Sequence, residues 1–484
     1  MSPILLLVPV LIPLLSGCLL LLTPDWPQKR RNLVCFLVTC GTGLLVFFLL
    51  FQVRREPVTL FRFWGDFSIV FGVDGPAILF AVMLAAMWPF ALLYAFSYME
   101  HADPRGRFMA FYVMTYGVTL GIAFSANLTT LYVFFELLTL VTLPLVAHLQ
   151  NAESLHAARL YVVYCVAGAA LGFIAMALGT LDGGGMFRYG GSLTGRFSAG
   201  VMAGAFLCGF FGFGAKAALF PLFHWLPVAS AAPTPVTALL HAVAVVNTGF
   251  FAVVRLGWYA YGPAMLLGTP VQMICVGAAA FSMVFGAAMA LKQRHFKRRL
   301  AYSTMSNLSY MLFGAALMTP GGLLGGLSHM LFHGVIKMSM FLCAGAFMHV
   351  TGKAYLYELD GVGRKMPVTF GCYTLGAMSL TGIPPLCGFV SKWRLLTAGL
   401  DAGTPMAMVG VAALLISAFL CAVYTLTVSI RAFFPKGAPE HSAIREADWR
   451  MLIPIVTFTV LNILLGVWSG PVISFLSNIA EGIL

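Results

Sequence analysis

The chain has 484 residues, 60% of them hydrophobic and only 9% charged, with a mean hydropathy of +0.93. An ordinary soluble domain carries about 25% charged residues, so a soluble fold is excluded and the sequence reads as an all-α polytopic membrane protein. The formal net charge of +12 raises the question of a nucleic-acid partner, which the placement of the charges answers below.

Apolar stretches between charged or Pro/Gly-rich breaks predict 14 transmembrane helices, at 2–22, 33–53, 76–99, 108–124, 128–148, 159–180, 199–221, 235–258, 269–291, 300–318, 323–349, 366–395, 406–432 and 450–475. The first begins at Pro3 without a basic leader or a small-residue cleavage site, so it is read as retained and not as a signal peptide. Helices 1 and 2 carry no interior charge and read as scaffold. In the segment Arg54 to Asp74 the alternation Val58-Thr59-Leu60-Phe61 offers a short hairpin strand. Helix 3 opens near Asp74-Gly75 and closes at Tyr98-Met99-Glu100, ahead of a solvated turn with Asp103, Arg105 and Arg107.

Helix 5 brings an intramembrane carboxylate, Glu136. Facing a lysine, it forms either a pair whose charge state follows the lysine's or a static structural ion pair. Helix 6 starts from Glu153, His156 and Arg159. Helix 7 is the centre of the pattern. From Ala199 to Phe220 it is long enough to span a bilayer, which takes about 20 residues, and Lys216 is its only charged side chain. Such a charge costs several kcal/mol unless it faces a bundle interior or a wet cavity, where it marks an ion or proton path. The competing reading is a lysine snorkelling to the interface. Pro221 and Pro227, around His224 and Trp225, break the helix, and irregular backbone at that depth is tolerated only beside protein or a cavity.

Helix 8 follows the Pro233-Thr234-Pro235 break with His241 and Asn247 on an otherwise apolar cylinder. His241 is either a relay, since an unperturbed imidazole titrates near physiological pH, or a side chain satisfied by a hydroxyl. Lys292 to Arg299, between helices 9 and 10, is the most basic loop and is expected to anchor to anionic headgroups or an acidic partner loop. In helix 11, His329, His333 and Lys337 recur at four-residue steps and therefore share one face. The lysine repels a metal ion, so the face reads as a proton wire and not a zinc site.

Helix 12 holds Gly382-Ile383-Pro384-Pro385 and then Gly388-Phe389-Val390-Ser391-Lys392, repeating the Gly-Phe-x-x-Lys of Gly212 to Lys216 after 176 residues. Both copies lie in Pro-interrupted helices, as expected of two structurally repeated halves with a site at discontinuous helices. Helices 13 and 14 carry no interior charge.

Of the 28 Lys and Arg residues, 18 fall in odd-numbered connections and 5 in even-numbered ones. The positive-inside rule then puts the odd loops in the cytoplasm and both termini outside, in what is expected to be a prokaryotic cytoplasmic membrane. The basic balance is an orientation signal, and no loop has an aromatic-interleaved basic patch for nucleic acid. Ten cysteines stand singly with no CxxC pair, against a cluster, a zinc site or a disulfide framework.

With these residues assembled, the chain resembles the antiporter-like membrane subunits of respiratory complex I, energy-converting membrane-bound hydrogenases and Mrp-type cation/proton antiporters. The resemblance covers about residues 70–430 and rests on Phe135-Glu136, Lys216 with Pro221-Leu222-x-His224-Trp225-Leu226-Pro227, Ala232-Pro233-Thr234-Pro235, Lys297-Arg298, His329/His333/Lys337 and Gly382-Ile383-Pro384-Pro385 through Lys392. It implies 14 helices, two inverted five-helix repeats (108–258 and 269–432) between N-terminal helices (1–107) and a C-terminal helix (450–484), with helices 7 and 12 broken. It also implies a Glu136–Lys216 pair, an axis of His241, His329, His333 and Lys337, and Lys392 as terminal proton-exchange residue. His224, Asn247, Pro221, Pro384 and Pro385 would support them. Many members have a lysine where Asn247 stands, so the link between half-channels would lean on His241, and the acidic residue often found before the Lys-Arg pair is here His295.

The function expected is that of a proton-translocating subunit in a multi-subunit redox-driven complex, with no cofactor and no metal of its own. It would pair with other membrane subunits, further antiporter-like subunits and a redox module. An Mrp-type Na⁺/H⁺ antiporter subunit is the alternative. A stand-alone secondary transporter for a small anion and a purely structural anchor are the others.

Overall fold

The structure, a computed structural model, describes residues 3–53, 56–100, 105–435 and 444–484. Of the residues read from the sequence, Ser2, Arg54, Arg55, Asp103 and Lys436 lie outside these ranges.

The chain folds almost wholly into helices: α1 (Val8–Leu22), α2 (Gln28–Gln52), α3 (Gly75–Tyr98), α4 (Arg105–Ala123), α5 (Leu128–Val146) and α6 (Ala152–Gly183) lead to the interrupted middle. There α7 (Ala199–Gly214), α8 (Trp225–Ala229), α9 (Thr234–Ala242), α10 (Val245–Val254) and α11 (Pro263–Leu266) follow one another. The second half holds α12 (Pro270–Lys292), α13 (Phe296–Ala316), α14 (Pro320–Thr351), α15 (Pro367–Thr381), α16 (Cys387–Ala402), α17 (Pro405–Phe433), α18 (Trp449–Val467) and α19 (Gly470–Ala480). Side-chain caps fix many starts: Asp74 accepts from Ala77 N, Asn127 from Thr130 N, Asn151 from Ser154 N and Thr319 from Gly322 N. The two 32-residue helices α6 and α14 end on Gly184 and Gly352 in the left-handed conformation, at φ 74° and 68°.

Ten spans among the described residues are long and apolar enough to cross a membrane. They correspond to predicted helices 1–3, 5, 6, 8, 9, 11, 13 and 14. The other four are α4 and α13, which open on basic residues, and the two helices interrupted at Lys216 and ahead of Lys392.

The spans differ in depth. Thr234–Tyr261 is wholly buried and Pro320–Thr351 nearly so, whereas only a third of the apolar windows of the first two spans is covered. The bundle is therefore built around α9, α10 and α14. Those are the elements that carry His241, His329, His333 and Lys337, so the polar side chains are held away from the lipid-facing perimeter.

One strand expectation is met and three features depart from the sequence expectations. The strand signal at Val58 is a complete antiparallel hairpin, β1 (Val58–Trp64) with β2 (Phe67–Phe71), tied to α5 by Val70 N donating to Thr130 Oγ1 at 2.7 Å. Helix 2 begins earlier, at Gln28. The C-terminal helix is two, separated at Trp468-Ser469. Helix 8 is also broken, at Val243-Ala244, in a run of Ala and Val with no Pro or Gly to announce it. Asn247 Nδ2 spans that break, donating to the Ala242 carbonyl at 2.8 Å.

Asp74 does more than open α3. It makes a bidentate pair with Arg255, whose guanidinium is buried among Phe187, Phe251 and Tyr259 at 4.9–5.0 Å from each ring centroid. Asp74→Ala should cost at least about 3 kcal/mol, because it leaves a buried guanidinium uncompensated and removes a helix cap. Denaturation of the purified protein checks this, and an unchanged midpoint would refute it.

Candidate functional site

The break in helix 7 positions the first lysine. α7 stops at Gly214, and Trp225 Nε1 reaches back across the interruption to the Ala215 carbonyl at 2.8 Å, while Phe220 N is satisfied by Ser282 Oγ at 3.1 Å. Lys216 sits in this turn, completely buried. Gly249 of α10 packs directly on it: a Cβ there would lie 2.4 Å from Ala217 N and 2.8 Å from the Lys216 carbonyl carbon. Snorkelling is thereby ruled out for Lys216.

The ammonium of Lys216 donates to the Phe135 carbonyl and lies 3.6 Å from the Phe135 ring centroid. Glu136, the next residue, is half-buried with Oε1 unpaired, and no ion pair joins it to Lys216 within 4.0 Å. The facing Glu–Lys pair expected from the sequence is therefore not closed in this state. The two charges remain within electrostatic range of one another.

His241, at the end of α9, is fully buried with both ring nitrogens unpartnered, its ring 4.8 Å from that of Phe341. Lys337 lies 5.9 Å from the same Phe341 ring and donates to the Leu300 carbonyl at 3.0 Å and to Ser303 Oγ at 2.6 Å. One turn along α14, His333 also has both nitrogens free of protein partners, and its ring is 5.7 Å from that of His329. His329 is held on both sides, Nδ1 by Ser391 Oγ at 2.9 Å and Nε2 by Asn307 Oδ1 at 3.3 Å. The next residue after Ser391 is Lys392, which donates to the Leu380 carbonyl at 2.5 Å and to the Thr381 carbonyl at 3.3 Å. These are the last carbonyls of α15, so the ammonium occupies the negative end of a helix, where a cation is stabilised.

Six of the seven ionisable side chains, all but the half-buried Glu136 of α5, are thus buried inside the bundle. The four-residue spacing in α14 puts its three on one buried face, as the sequence predicts. Not all expected residues join them: His224, Pro221, Pro384 and Pro385 are exposed on the outer side of the two breaks and make the interruptions without lining the axis. Asn247 faces inward and bridges the break in helix 8.

The sequence assigns no role to Ser303, whose hydroxyl accepts from Lys337, or to Asn307 and Ser391, which hold His329. On the sequence they are ordinary small polar residues, and of the two that hold His329 only Ser391, beside Lys392, stands next to an ionisable group. The loop before α13 needs correction. Lys297 and Arg299 do not reach headgroups: both are buried, Lys297 donating to the Ala232 carbonyl at 2.8 Å and Arg299 to the carbonyls of Leu291, Gln293 and Tyr424 at 2.9–3.1 Å. Helix formation from Phe296 onward carries them inward.

A transmembrane family model described as NADH:quinone oxidoreductase/Mrp antiporter matches residues 125–420. An NADH-quinone oxidoreductase subunit of Desulforudis audaxviator is 32% identical over 435 residues, 85% of this chain and 84% of that protein. An Na(+)/H(+) antiporter subunit of Alkalihalophilus pseudofirmus is 28% identical over 99% of this chain and 97% of that protein. Among solved structures, a chain of the archaeal membrane-bound sulfane sulfur reductase superposes with a TM-score of 0.87 at 22% identity, covering 99% of this chain and 97% of that one. A chain of the Mrp complex from Dietzia sp. superposes at 0.86 with 21% identity, covering 99% and 96%. A chain of respiratory complex I from Thermus thermophilus gives 0.81 at 24% identity, covering 98% of both.

Proposed function

This integral membrane chain belongs to the NADH:quinone oxidoreductase/Mrp antiporter transmembrane family, and from that premise we propose that it is the proton-translocating subunit of a multi-subunit, redox-linked membrane complex. The observation that carries the reading is three fully buried or nearly buried lysines, Lys216, Lys337 and Lys392, each bonded to backbone carbonyls and, among the described residues, none to a carboxylate. An ammonium in such surroundings is stabilised only in part. It can give its proton to a neighbouring group at modest cost.

In the proposed route Glu136 and Lys216 form the first unit. His241 and Lys337, on either side of Phe341, form the second, while His333, His329 and Lys392 lead outward through α16. Closing the Glu136–Lys216 pair would stabilise the lysine's charge, and opening it would release that charge's hold on the next. His241 and His333 are the flexible steps, since buried polar groups without protein partners are ordinarily served by water, and imidazole can accept at one nitrogen while donating from the other. The 108–258 and 269–432 segments are the two proposed repeats, each contributing a broken helix that carries a lysine, Lys216 in the first and Lys392 in the second.

Moving one proton across about 150 mV takes roughly 3.5 kcal/mol, equal to about a 300-fold change in proton affinity. The chain's own groups can transmit such a change; the energy must come from a redox partner or a second ion gradient. We place the protein in a prokaryotic cytoplasmic membrane with both termini outside, from the loop charge asymmetry. The near full-length match to an Na(+)/H(+) antiporter subunit supports the second reading, a cation/proton antiporter subunit.

Purifying the native assembly and reconstituting it separates the two. The redox reading expects co-purifying electron-transfer subunits and proton movement that follows electron transfer without Na⁺. Proton movement exchanged for Na⁺ with no redox substrate would move the chain to the antiporter reading. The chain alone in liposomes should transport nothing.

A further inference from the structure

We propose that Lys297 is the proton-loading residue at the basic end of the axis, taking protons from the surface beside Glu153 and Arg298 and passing them toward His241 and Lys337. The proposal rests on the proton-translocating reading above and adds its entry point.

Lys297 is the second residue of α13 and is 4% exposed. A lysine serving as a headgroup anchor would extend its ammonium outward. This one turns inward and donates to the Ala232 carbonyl at 2.8 Å, in the connection between α8 and α9. The same carbonyl accepts from Thr237 Oγ1 at 3.1 Å. Thr237 precedes His241 by one turn on the same face of α9, so Lys297 meets the central helix just ahead of an imidazole with both nitrogens unpartnered. Lys297 and Lys337 both lie within electrostatic range of that imidazole.

The opposite flank reaches solvent. Arg298 pairs with Glu153 at 2.7 Å, both side chains well exposed, and the Glu153 carboxylate lies within electrostatic range of Lys297. Inward along α13, Leu300 and Ser303 receive the ammonium of Lys337. One helix therefore presents, in order, a surface ion pair, a buried lysine and the acceptors of the next buried lysine. His295, in the loop just before α13, is not a rival carrier: burial, Lys297 and Arg298 push its imidazole down to about 4, so it stays neutral near pH 7.

Among the described residues the Lys297 ammonium has one hydrogen-bond acceptor and no carboxylate within 4.0 Å. A lysine so placed is suited to exchanging its proton, because its proton affinity responds readily to its surroundings.

Two variants of the full chain in the purified native assembly test this. Lys297→Arg keeps the charge and a donor for the Ala232 carbonyl but does not release its proton; Lys297→Gln keeps a donor and carries no charge. Both should lower proton translocation at least about 100-fold, the low end of what one proton-transfer group contributes, with the assembled complex present in normal amount. Wild-type translocation by either variant would overturn the proposal. For arginine it would show that Lys297 only ties the Ala232 connection in place, and if Lys297→Gln fails to assemble, the arginine variant decides alone. Lys216→Ala measured in parallel separates the two levels: its inactivity beside fully active Lys297 variants removes only the entry point, whereas its full activity removes the conduction route itself.

Discussion

Lys337→Ala should reduce proton translocation by the assembled complex about 100-fold or more, the scale of losing a positioned proton-transfer group. Lys337 is the junction of the interior. It is bonded to Leu300 and Ser303 of α13, shares Phe341 with His241, and stands one turn from His333 on α14. Alanine removes the ammonium beside His241 and His333, together with the charge that both imidazoles sense. Lys337→Arg should be nearly as inactive, since a guanidinium holds its proton and the added volume must fit a fully packed site. Translocation measured in proteoliposomes, normalised to intact complex, checks both. A Lys337→Ala complex pumping within about twofold of wild type, far short of what a proton-transfer group contributes, would remove the lysine from the route.

Gly249→Val should abolish translocation without touching an ionisable group. A Cβ at Gly249 would sit 2.4 Å from Ala217 N, 2.8 Å from the Lys216 carbonyl carbon and 3.0 Å from Phe213 O, all backbone. Backbone cannot swing aside as a side chain can, so the broken segment of helix 7 must shift and carry the Lys216 ammonium from the Phe135 carbonyl. Overpacking of this kind costs about 1–3 kcal/mol, which a bundle this extensively buried can absorb while still assembling. The expected pattern is therefore an assembled, inactive complex, and Gly249→Val with normal translocation would mean that the position of Lys216 is not critical.

The lysines and histidines are legible in the sequence because each violates the apolar pattern of its helix, and an ionisable group inside a span needs a reason. The four-residue spacing of His329, His333 and Lys337 leads directly to their common face. The breaks at Lys216 and ahead of Lys392 are legible from Pro221, Pro384 and Pro385, whereas the break at Val243-Ala244 is not, because the sequence there holds no breaker and the Asn247 bond across it shows only in the folded chain. Lys297 is hidden for a different reason. A cluster of basic residues looks like a solvated loop, and only the onset of α13 at Phe296 shows that some of them turn inward. The Glu136–Lys216 pair is expected both from opposite charge and from the family resemblance; the structure has the lysine on the neighbouring carbonyl, one residue away from the carboxylate.

The most direct measurement is proton translocation by the native assembly carrying Lys216→Ala, reconstituted with its own driving reaction. The buried-axis account predicts that translocation is lost while the complex assembles in normal amount. Wild-type translocation without the Lys216 ammonium would contradict it.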